Sequence, residues 1–374
     1  MKTKQIVAMG LTLMLIAAGC GKNPSSQTPA PEPSVVEASV VSETDTSSSV
    51  LAEPSVLTAE AIDPNAPEGM AKSYLTGKYV DEALSRKRPI AVMFNNIKAA
   101  CPQSGIENAD VLYEAPVEGG ITRLMGIFEN YQDLDKIGSV RSARLYFVRF
   151  ALGWDAIYCS VGHSKYAVDL LNSPGTDSMD GVDGTGASVY YRTEDRKAPH
   201  NCYASAEGIA KGIEKQGFST EYDPNYHGYF QFVPEGDTAS YDGVKANTVR
   251  TGYFHNDPYF TYNAEDQMYY RFQFDAKQID DQTGNQLKFK NLMLQYCDYE
   301  MFDDDKSLNI NINSGGKAQY ISNGICTEMT WKRDKDTGIT HYYLADGTEV
   351  KLNTGKTYVG IILNPNADRV EITE

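Results

Sequence analysis

Two arginines three positions apart, Arg141 and Arg144, have the residue type and spacing that point most directly to chemistry in this sequence. The pattern predicts that both lie on one face of a helix, within or near its first turn. A cation at that end opposes the helix dipole, so we expect the guanidiniums and the free backbone N–H groups to bind a carboxylate or a phosphate together. The alternative is an internal ion-pair network in which a nearby carboxylate neutralises the arginines: Asp110, Glu114 or Glu118.

The segment before these arginines, Glu118–Arg123 (EGGITR), supplies a carboxylate, a flexible backbone and a third arginine. Two adjacent glycines allow a positive φ or the close approach of a ligand to the backbone. No Gly-Lys-Ser/Thr follows, and the chain has no Gly-x-Gly-x-x-Gly, so the phosphate-binding and dinucleotide motifs are absent from the sequence. The segment predicts part of a binding site, and a tight hairpin turn is the alternative.

Two of the five histidines lie at the ends of predicted elements, where acid–base groups and ligands are often found. His163 follows a predicted strand, and His200-Asn201 lies in a predicted turn. A cysteine close to a histidine, at Cys159 or Cys202, would give a thiol nucleophile. Structural, hydrogen-bonded histidines are the alternative. The sequence has neither an HExxH nor a GxSxG motif, so it does not name a reaction.

Acidic residues cluster in two predicted loops. Asp177, Asp180 and Asp183 resemble a calcium loop in composition, but their spacing is not that of an EF-hand. The other cluster is the run 298–305. No two cysteines have the CxxC spacing of a zinc knuckle. We therefore expect solvated turns at both places, with no metal and no cofactor.

The amino terminus predicts export. Lys2 and Lys4 precede a short apolar run, residues 6–18, which is too short to span a bilayer as a mature helix and is typical of a signal peptide. The small residues that follow end at Cys20, an arrangement that resembles a bacterial lipobox and implies cleavage before Cys20 and lipidation of its thiol. An ordinary signal peptide with an incidental Cys20 is the alternative. We expect attachment to the extracytoplasmic face of the cell membrane through this lipid.

Net charge and cysteine content further limit the classes of protein that the sequence fits. The formal net charge is −16 and the pI about 4.8, which argues against a nucleic-acid binder because such proteins present basic surfaces. If Cys20 carries lipid, five cysteines remain, and an odd number cannot all pair with one another. We expect most of these five cysteines to be buried as small apolar residues, and one disulfide between two of them is possible. They are Cys101, Cys159, Cys202, Cys297 and Cys326.

Composition divides the rest of the chain into three parts. Residues 21–73 form a predicted disordered linker, since the stretch 21–69 has eight acidic residues, one lysine and no aromatic residue. Residues 74–222 alternate predicted strands and helices, which indicates an α/β-type domain. Residues 223–374 show period-two alternation between turn signals, which predicts a mainly antiparallel all-β domain, a barrel or a sandwich. The predicted fold class is therefore α+β.

Three local predictions concern helices of the first domain. Ser139 or a neighbour is expected to cap the helix that carries the arginine pair. A short helix is expected over Lys165–Asn172, with Ser164 as its cap. A third helix is predicted over Ser205–Gln216, with Ser205 at one end and Gly217 at the other.

Several segments, in this order, resemble the YerB-like bacterial lipoproteins: RPIAVMFNN, PQSGIENADVLYEAPVEGGITRLMGIF, IGSVRSAR, APHN and LADGTEVKLNTGKTYVGII. The resemblance implies a lipid-anchored ectodomain of two domains of unknown function, mostly in Gram-positive bacteria, and it brings no established reaction. The motif residues are Asn95, Glu114, Glu118, Gly119, Gly120, Arg123, Arg141, Arg144, His200 and Asn201. Cys101 departs from the family pattern, because a basic residue is expected there.

Three hypotheses follow for function. The first is a surface lipoprotein that binds an anionic cell-wall or envelope ligand in a polar cleft, held by Arg123, Arg141 and Arg144 and oriented by Asn95, Glu118, His200 and Asn201. The second is an envelope hydrolase or transferase with Glu118 or His200 as general acid or base. The third is a scaffold for an envelope protein partner, which predicts a large exposed apolar patch on the β-rich domain.

Overall fold

The computed structural model describes residues 65–304 and 306–374, which lie in one compact unit. The predicted signal peptide, Cys20 and most of the predicted linker fall outside the described residues. The described chain begins at Asn65, earlier than the predicted domain start at Tyr74, and its first strand pairs with the second.

Strands dominate the described residues, and four helices accompany them. The strands are β1 (Met70–Lys72), β2 (Tyr79–Asp81), β3 (Ile90–Asn95), β4 (Val111–Pro116), β5 (Thr122–Phe128), β6 (Ile137–Gly138), β7 (Ile157–Ser160), β8 (Ser178–Asp180), β9 (Tyr190–Arg192), β10 (Cys202–Ala204), β11 (Gln231–Phe232), β12 (Val244–Lys245), β13 (Thr248–Arg250), β14 (Tyr259–Asn263), β15 (Met268–Gln273), β16 (Ala276–Lys277), β17 (Lys288–Phe289), β18 (Asn291–Cys297), β19 (Tyr299–Met301), β20 (Leu308–Ile310), β21 (Gly316–Ser322), β22 (Ile325–Arg333), β23 (Thr340–Tyr343), β24 (Lys351–Leu352), β25 (Thr357–Leu363) and β26 (Glu371–Thr373). The helices are α1 (Glu82–Ser85), α2 (Leu145–Gly153), α3 (Val168–Leu171) and α4 (Ala206–Gln216). This mixture confirms the α+β class.

An eleven-stranded sheet organises the molecule, in the order β12-β22-β21-β18-β25-β4-β5-β3-β7-β8, with β23 on β22. The pairs β18–β25, β25–β4, β3–β7 and β7–β8 are parallel, and β5 lies antiparallel between β3 and β4. The six strands of these parallel pairs therefore point the same way. Their last residues form what we call the carboxyl edge of the sheet: Asn95, Pro116, Ser160, Asp180, Cys297 and Leu363.

The sheet takes strands from both sides of residue 222, because β25 pairs in parallel with β4. The strands after Tyr222 therefore do not form a barrel or a sandwich by themselves. A six-stranded sheet, β13–β17 with β26, belongs to the second part of the chain alone. The division into domains 74–222 and 223–374 stays a prediction.

Both faces of the central sheet are buried, as expected where parallel strands are covered on each side. On one face, α2 packs through Phe147 and Phe150 against Tyr113 of β4 and the strands beside it. On the other face, Ile209 of α4 and Phe260 of the six-stranded sheet pack against the central strands. The core thus fixes the positions at which the six parallel strands end.

The chain enters at the opposite edge of this sheet. Arg88, just before β3, donates hydrogen bonds to the backbone of Asp155 and to the carboxylate of Asp177, which precede β7 and β8. The amide of Gly355, just before β25, donates to the Thr76 carbonyl. The first described residues therefore lie at the amino ends of the parallel strands, away from the carboxyl edge.

The helix predictions meet three outcomes. Helix α4 is confirmed, because the Ser205 hydroxyl accepts a hydrogen bond from the Gly208 amide and Gly217 has a left-handed conformation. The helix predicted over Lys165–Asn172 is a 3-10 turn followed by the short α3, and the Ser164 side chain does not cap it.

The predicted start of the helix that was to carry both arginines was wrong. Helix α2 begins at Leu145, with Arg144 at the N-cap, so Arg141 lies before the helix in an extended segment. Backbone pairing explains the difference: the Arg141 amide donates to the Met93 carbonyl, and the Arg141 carbonyl accepts from the Val161 amide. These hydrogen bonds hold the segment between the ends of β3 and β7.

Candidate functional site

The three predicted arginines meet at the carboxyl edge. Arg123 is the second residue of β5, whose amino end lies at this edge because β5 runs against its neighbours. Its side chain is buried, and Nη1 donates to the Ser142 carbonyl at 2.6 Å. Ser142 stands between Arg141 and Arg144 in the extended segment. The backbone pairing of that segment is therefore what brings the three guanidiniums together.

Arg144 is bound to the predicted Glu118. Its Nε lies 2.9 Å from both carboxylate oxygens of Glu118, and its Nη2 lies 2.5 Å from Oε2. Burial opposes ionisation of Glu118, but the hydrogen bonds and the charge of Arg144 outweigh it and lower the pKa of that carboxyl. Glu118, one of the carboxylates predicted to neutralise the arginines, thus forms an ion pair with Arg144. Glu118 opens a turn in which Gly119 and Gly120 have φ of 75° and 73°, a conformation that favours glycine.

The other two guanidiniums repel their neighbours. Burial, and after it the charges of Arg144 and Arg141, lower the pKa of Arg123 to about 10. Burial, then the charges of Arg144 and Arg192, lower the pKa of Arg141. Each shift has the sign expected where positive charge is crowded and too few carboxylates stand nearby. The site is therefore electropositive within a protein of net charge −16.

His200 joins the same site. The amide Nδ2 of Asn95, the last residue of β3, donates to His200 Nδ1 at 2.8 Å, so the neutral ring carries its proton on Nε2. Burial, followed by the charges of Arg141 and Arg196, lowers the pKa of His200. A neutral ring can donate a hydrogen bond from Nε2 to an anion.

Asn201 is held at the rim of the site. Its side-chain oxygen accepts from Arg192 Nη1 at 3.0 Å, and its Nδ2 donates to the Thr193 carbonyl at 2.7 Å. The structure thus brings together all seven predicted residues, directly or through one neighbour: Asn95, Glu118, Arg123, Arg141, Arg144, His200 and Asn201.

A second histidine lies at the same edge. His163 Nδ1 is 2.6 Å from Oδ2 of the buried Asp180, and Oδ1 of Asp180 accepts from the amides of Gly162 and Val182. Asp183 lies near enough to share a small ion with this pair, but it is exposed. The Asp180 oxygens are already hydrogen-bonded, so the three residues form an ordered loop end. The third aspartate of that predicted cluster, Asp177, binds Arg88 instead.

The predicted thiol nucleophiles are both buried, and Cys159 lies among apolar side chains of the core. Burial raises the pKa of Cys159 to about 12 and also raises the pKa of Cys202. A protonated, buried thiol is a poor nucleophile. All five cysteines of the described residues are free, and Cys101 alone among them is partly exposed.

Beneath the site lies a buried ion pair that the sequence analysis missed. Glu114 and Arg271 have no exposed surface, and Nη2 of the arginine lies 2.6 Å from Oε2 of the carboxylate. Asn96, Thr122 and Asn256 donate to Oε1, and Tyr358 donates to Oε2. Arg271 is 157 positions from Glu114, so no local signal in the sequence points to the pair.

An apolar pocket of about 270 Å³ opens beside the glycine turn. It lies between the turn, the Thr251–Phe254 loop, the end of β25 and the β19–β20 hairpin. Glu118, which binds Arg144, also lines it, and so does Lys306. The apolar lining residues include Val117, Phe254, Tyr299, Met301, Leu308 and Ile362. The sequence analysis missed this pocket because its walls come from four separated segments.

Comparison with known proteins places the chain in a family. The chain matches the N-terminal domain of a protein family of unknown function, DUF3048, over residues 75–219. It matches the C-terminal domain of the same family over residues 248–359. The protein belongs to this family, the YerB-like proteins, as its motifs predicted.

The sequence and the crystal structure of one relative, YerB, define how close the likeness is. YerB of Bacillus subtilis strain 168, which is named as a lipoprotein, is 31% identical over 307 residues, covering 81% of this chain and 89% of YerB. The crystal structure of YerB from Bacillus subtilis is 30% identical and superposes with a TM-score of 0.72 over 81% of this chain and 100% of that one. None of the helices in residues 65–304 and 306–374 is long and apolar enough to cross a bilayer.

Proposed function

We propose that the protein is a lipoprotein, anchored through Cys20 at the extracytoplasmic face of the membrane, that binds an anionic cell-wall or envelope ligand at the carboxyl edge. The lipoprotein name of its relative supports the anchor. The described chain starts at the edge opposite to the site, so a linker from the membrane would leave the site unobstructed. Labelling with palmitate in cells tests the anchor: Cys20→Ala abolishes the label, and a label that persists contradicts the proposal.

One observation carries the binding proposal: three guanidiniums share one carboxylate. Arg144 uses that carboxylate, whereas the guanidinium of Arg141 makes one long hydrogen bond within the described residues, of 3.5 Å to the Pro199 carbonyl. Guanidiniums match phosphate and carboxylate geometry, and desolvated ones bind them most strongly. An anion between Arg141 and Arg123 would relieve their repulsion, and the Nε2–H of His200 would add a donor.

The same contacts weigh against the acid–base alternative. A general acid near neutral pH needs a raised pKa, but the pKa of Glu118 is lowered and its two oxygens are occupied by Arg144. His200 uses Nδ1 to accept a hydrogen bond from Asn95, which suits a fixed hydrogen-bond donor. His200 is therefore better suited to donate a hydrogen bond to an anion, and Glu118 to hold Arg144 in place, than either residue is to transfer a proton.

Calorimetric titration with inorganic phosphate at low salt tests the binding proposal. The protein is the chain from residue 20 with Cys20→Ser, called the soluble chain below. Arg141→Gln is expected to weaken binding by about tenfold, since it removes a charge-assisted contact. Arg149→Gln is the matched control: this half-buried arginine of α2 also has a pKa lowered by burial and by a neighbouring arginine, Arg333. Equal losses in both variants, or no binding by the soluble chain, would contradict the proposal.

A further inference from the structure

We infer that the apolar pocket is the second part of this site and holds an apolar chain carried by the anionic ligand. The ligand class is therefore an organic phosphate or carboxylate with one apolar chain. This inference rests on the proposed anion site. It adds the pocket, its occupant and the direction in which the ligand lies.

The pocket exposes apolar side chains that a protein in water normally covers. Phe254, Tyr299 and Met301 are 62%, 40% and 41% exposed, and all three line the pocket. The exposed large apolar residues of the described chain number seven, so nearly half of them gather here. Grouped apolar exposure of this kind marks a binding surface, whereas single exposed apolar residues are ordinary.

The pocket has the size and shape of a small-molecule site. Its volume of about 270 Å³ is just below the range for drug-sized ligand pockets, which suits a single chain, and its lining is apolar with a few polar groups, as in such pockets. A protein partner would need an interface of roughly 1,000 Å² or more. A concave pocket with three exposed side chains fits a single chain or ring better than a protein surface.

Pocket and arginines are continuous across the glycine turn. Glu118 lines the pocket and at the same time binds Arg144. A Cβ atom placed on Gly119 or Gly120 would meet nothing within 4 Å, so the space over the turn is open. A ligand can therefore lie across the turn with its apolar chain in the pocket and its charged group at Arg141.

Charge selects an anion for the head of this ligand. The cationic groups around the path are Arg123, Arg141, Arg144, Lys306 and Arg369, which stacks on Phe254, and the nearby carboxylates are Glu118 and Asp304. A cationic amphiphile would find one carboxylate that Arg144 already holds and one that already accepts from the Lys306 and Ser307 amides. The first described residues lie at the opposite edge of the sheet, so the linker of the chain itself is a less suitable occupant.

The test compares octyl phosphate, octanoate, inorganic phosphate and the neutral octyl glucoside, titrated into the soluble chain below their micelle concentrations. Octyl phosphate is expected to bind at least about tenfold more tightly than inorganic phosphate, the gain from removing roughly two methylene groups from water. Phe254→Ala is expected to cancel most of that gain and leave the affinity for inorganic phosphate unchanged. Val244→Ala is the matched control, because Val244 is 63% exposed on β12 and does not line the pocket. Met301→Ala provides a second pocket variant.

The outcomes separate the two proposals. Octyl phosphate that binds no more tightly than inorganic phosphate, or a gain that survives both pocket variants, overturns the pocket inference and leaves the anion site standing. Octyl glucoside that binds as well as octyl phosphate, with no effect of Arg141→Gln, overturns the anion site and the ligand class with it. The affinities of octanoate and octyl phosphate, compared with each other, show whether the arginines prefer a carboxylate or a phosphate head group.

Discussion

The guanidinium of Arg144 donates three hydrogen bonds to the carboxylate of Glu118, two at 2.9 Å and one at 2.5 Å. Arg141, three residues earlier, has no ion pair with any carboxylate of the described residues. The two arginines, which look equivalent in the sequence, are therefore different. Arg144 fastens the glycine turn to the start of α2, whereas the guanidinium of Arg141 stays without a countercharge among the described residues, as the proposed anion site requires.

Glu118→Gln is expected to tighten phosphate binding by several fold. The substitution removes the carboxylate that offsets the positive charge of Arg123 and Arg144, so an incoming anion meets a stronger attraction. Calorimetry with inorganic phosphate measures the affinity. Urea unfolding should show a loss of about 1–3 kcal/mol, because a partly buried charged hydrogen-bonding partner is weakened.

Glu349→Gln is the control for that substitution. Glu349 lies 2.6 Å from His341, so the substitution also changes a short carboxylate–histidine contact, but away from the arginines. It should leave phosphate affinity unchanged. Weaker phosphate binding in Glu118→Gln would show that the carboxylate orients the ligand, contrary to this prediction.

Some secondary-structure elements could be predicted from local signals in the sequence, and others could not. Helix α4 was predicted to within a residue because its caps, Ser205 and Gly217, act on residues a few positions away. The start of α2 was wrong because the segment before it pairs with partners distant in the chain: the Val140 amide donates to the Cys202 carbonyl, and the Ala143 amide to the Gly162 carbonyl. A propensity argument cannot weigh such contacts.

The candidate site likewise has one part that could be predicted from the sequence and one part that could not. Its polar residues stand out in the sequence because charged and amide side chains at strand ends are unusual in a buried sheet. The apolar pocket could not be predicted, since Val117, Phe254, Met301 and Ile362 become neighbours only when β4, β25 and the β19–β20 hairpin are assembled. Apolar residues in a strand-rich chain look like core until the fold shows which of them stay exposed.

Arg271→Met is expected to destabilise the protein by about 3–5 kcal/mol. The substitution leaves the carboxylate of Glu114 buried without its countercharge, which costs more than the pair itself contributes. Urea unfolding of the soluble chain measures the loss.

The double substitution Glu114→Gln/Arg271→Met removes both charges and should recover part of that stability. Asn96, Thr122 and Tyr358 can still make hydrogen bonds to the glutamine. Losses that simply add would contradict the prediction, because coupled charges give an interaction energy in a double-mutant cycle.

His200 is expected to titrate below its ordinary pKa of 6.5. Burial and the nearby charge of Arg141 both disfavour the imidazolium form, so protonation requires a lower pH. Proton NMR of the histidine ring across pH 4–8 measures the value. Arg141→Gln should raise the pKa of His200, and saturating phosphate should raise it too, whereas Arg149→Gln should not. If the pKa of His200 is the same in Arg141→Gln as in the unsubstituted chain, the two side chains do not interact and the prediction is wrong.

Stability is expected to fall as pH rises through a window set by Glu129. Burial, followed by the negative charge of Asp110, raises the pKa of Glu129 from 4.5 to about 7, and Oε1 of Glu129 has no hydrogen-bond partner. Between these pH values the folded protein keeps a proton that the unfolded chain has released. The free energy of unfolding therefore decreases with pH across this window, by on the order of 3 kcal/mol from this group.

Glu129→Gln isolates that contribution, because the amide cannot ionise. Urea unfolding of the variant and of the unsubstituted soluble chain, at intervals from pH 4 to 8, should give a stability difference that shifts in favour of the variant as pH rises and levels off above about pH 7. Glu221→Gln is the control, since Glu221 is exposed, and its difference should stay constant. A constant difference for Glu129→Gln as well would mean that Glu129 ionises equally in the folded and unfolded chains. The buried carboxylate would then have to be solvated by water in the folded protein.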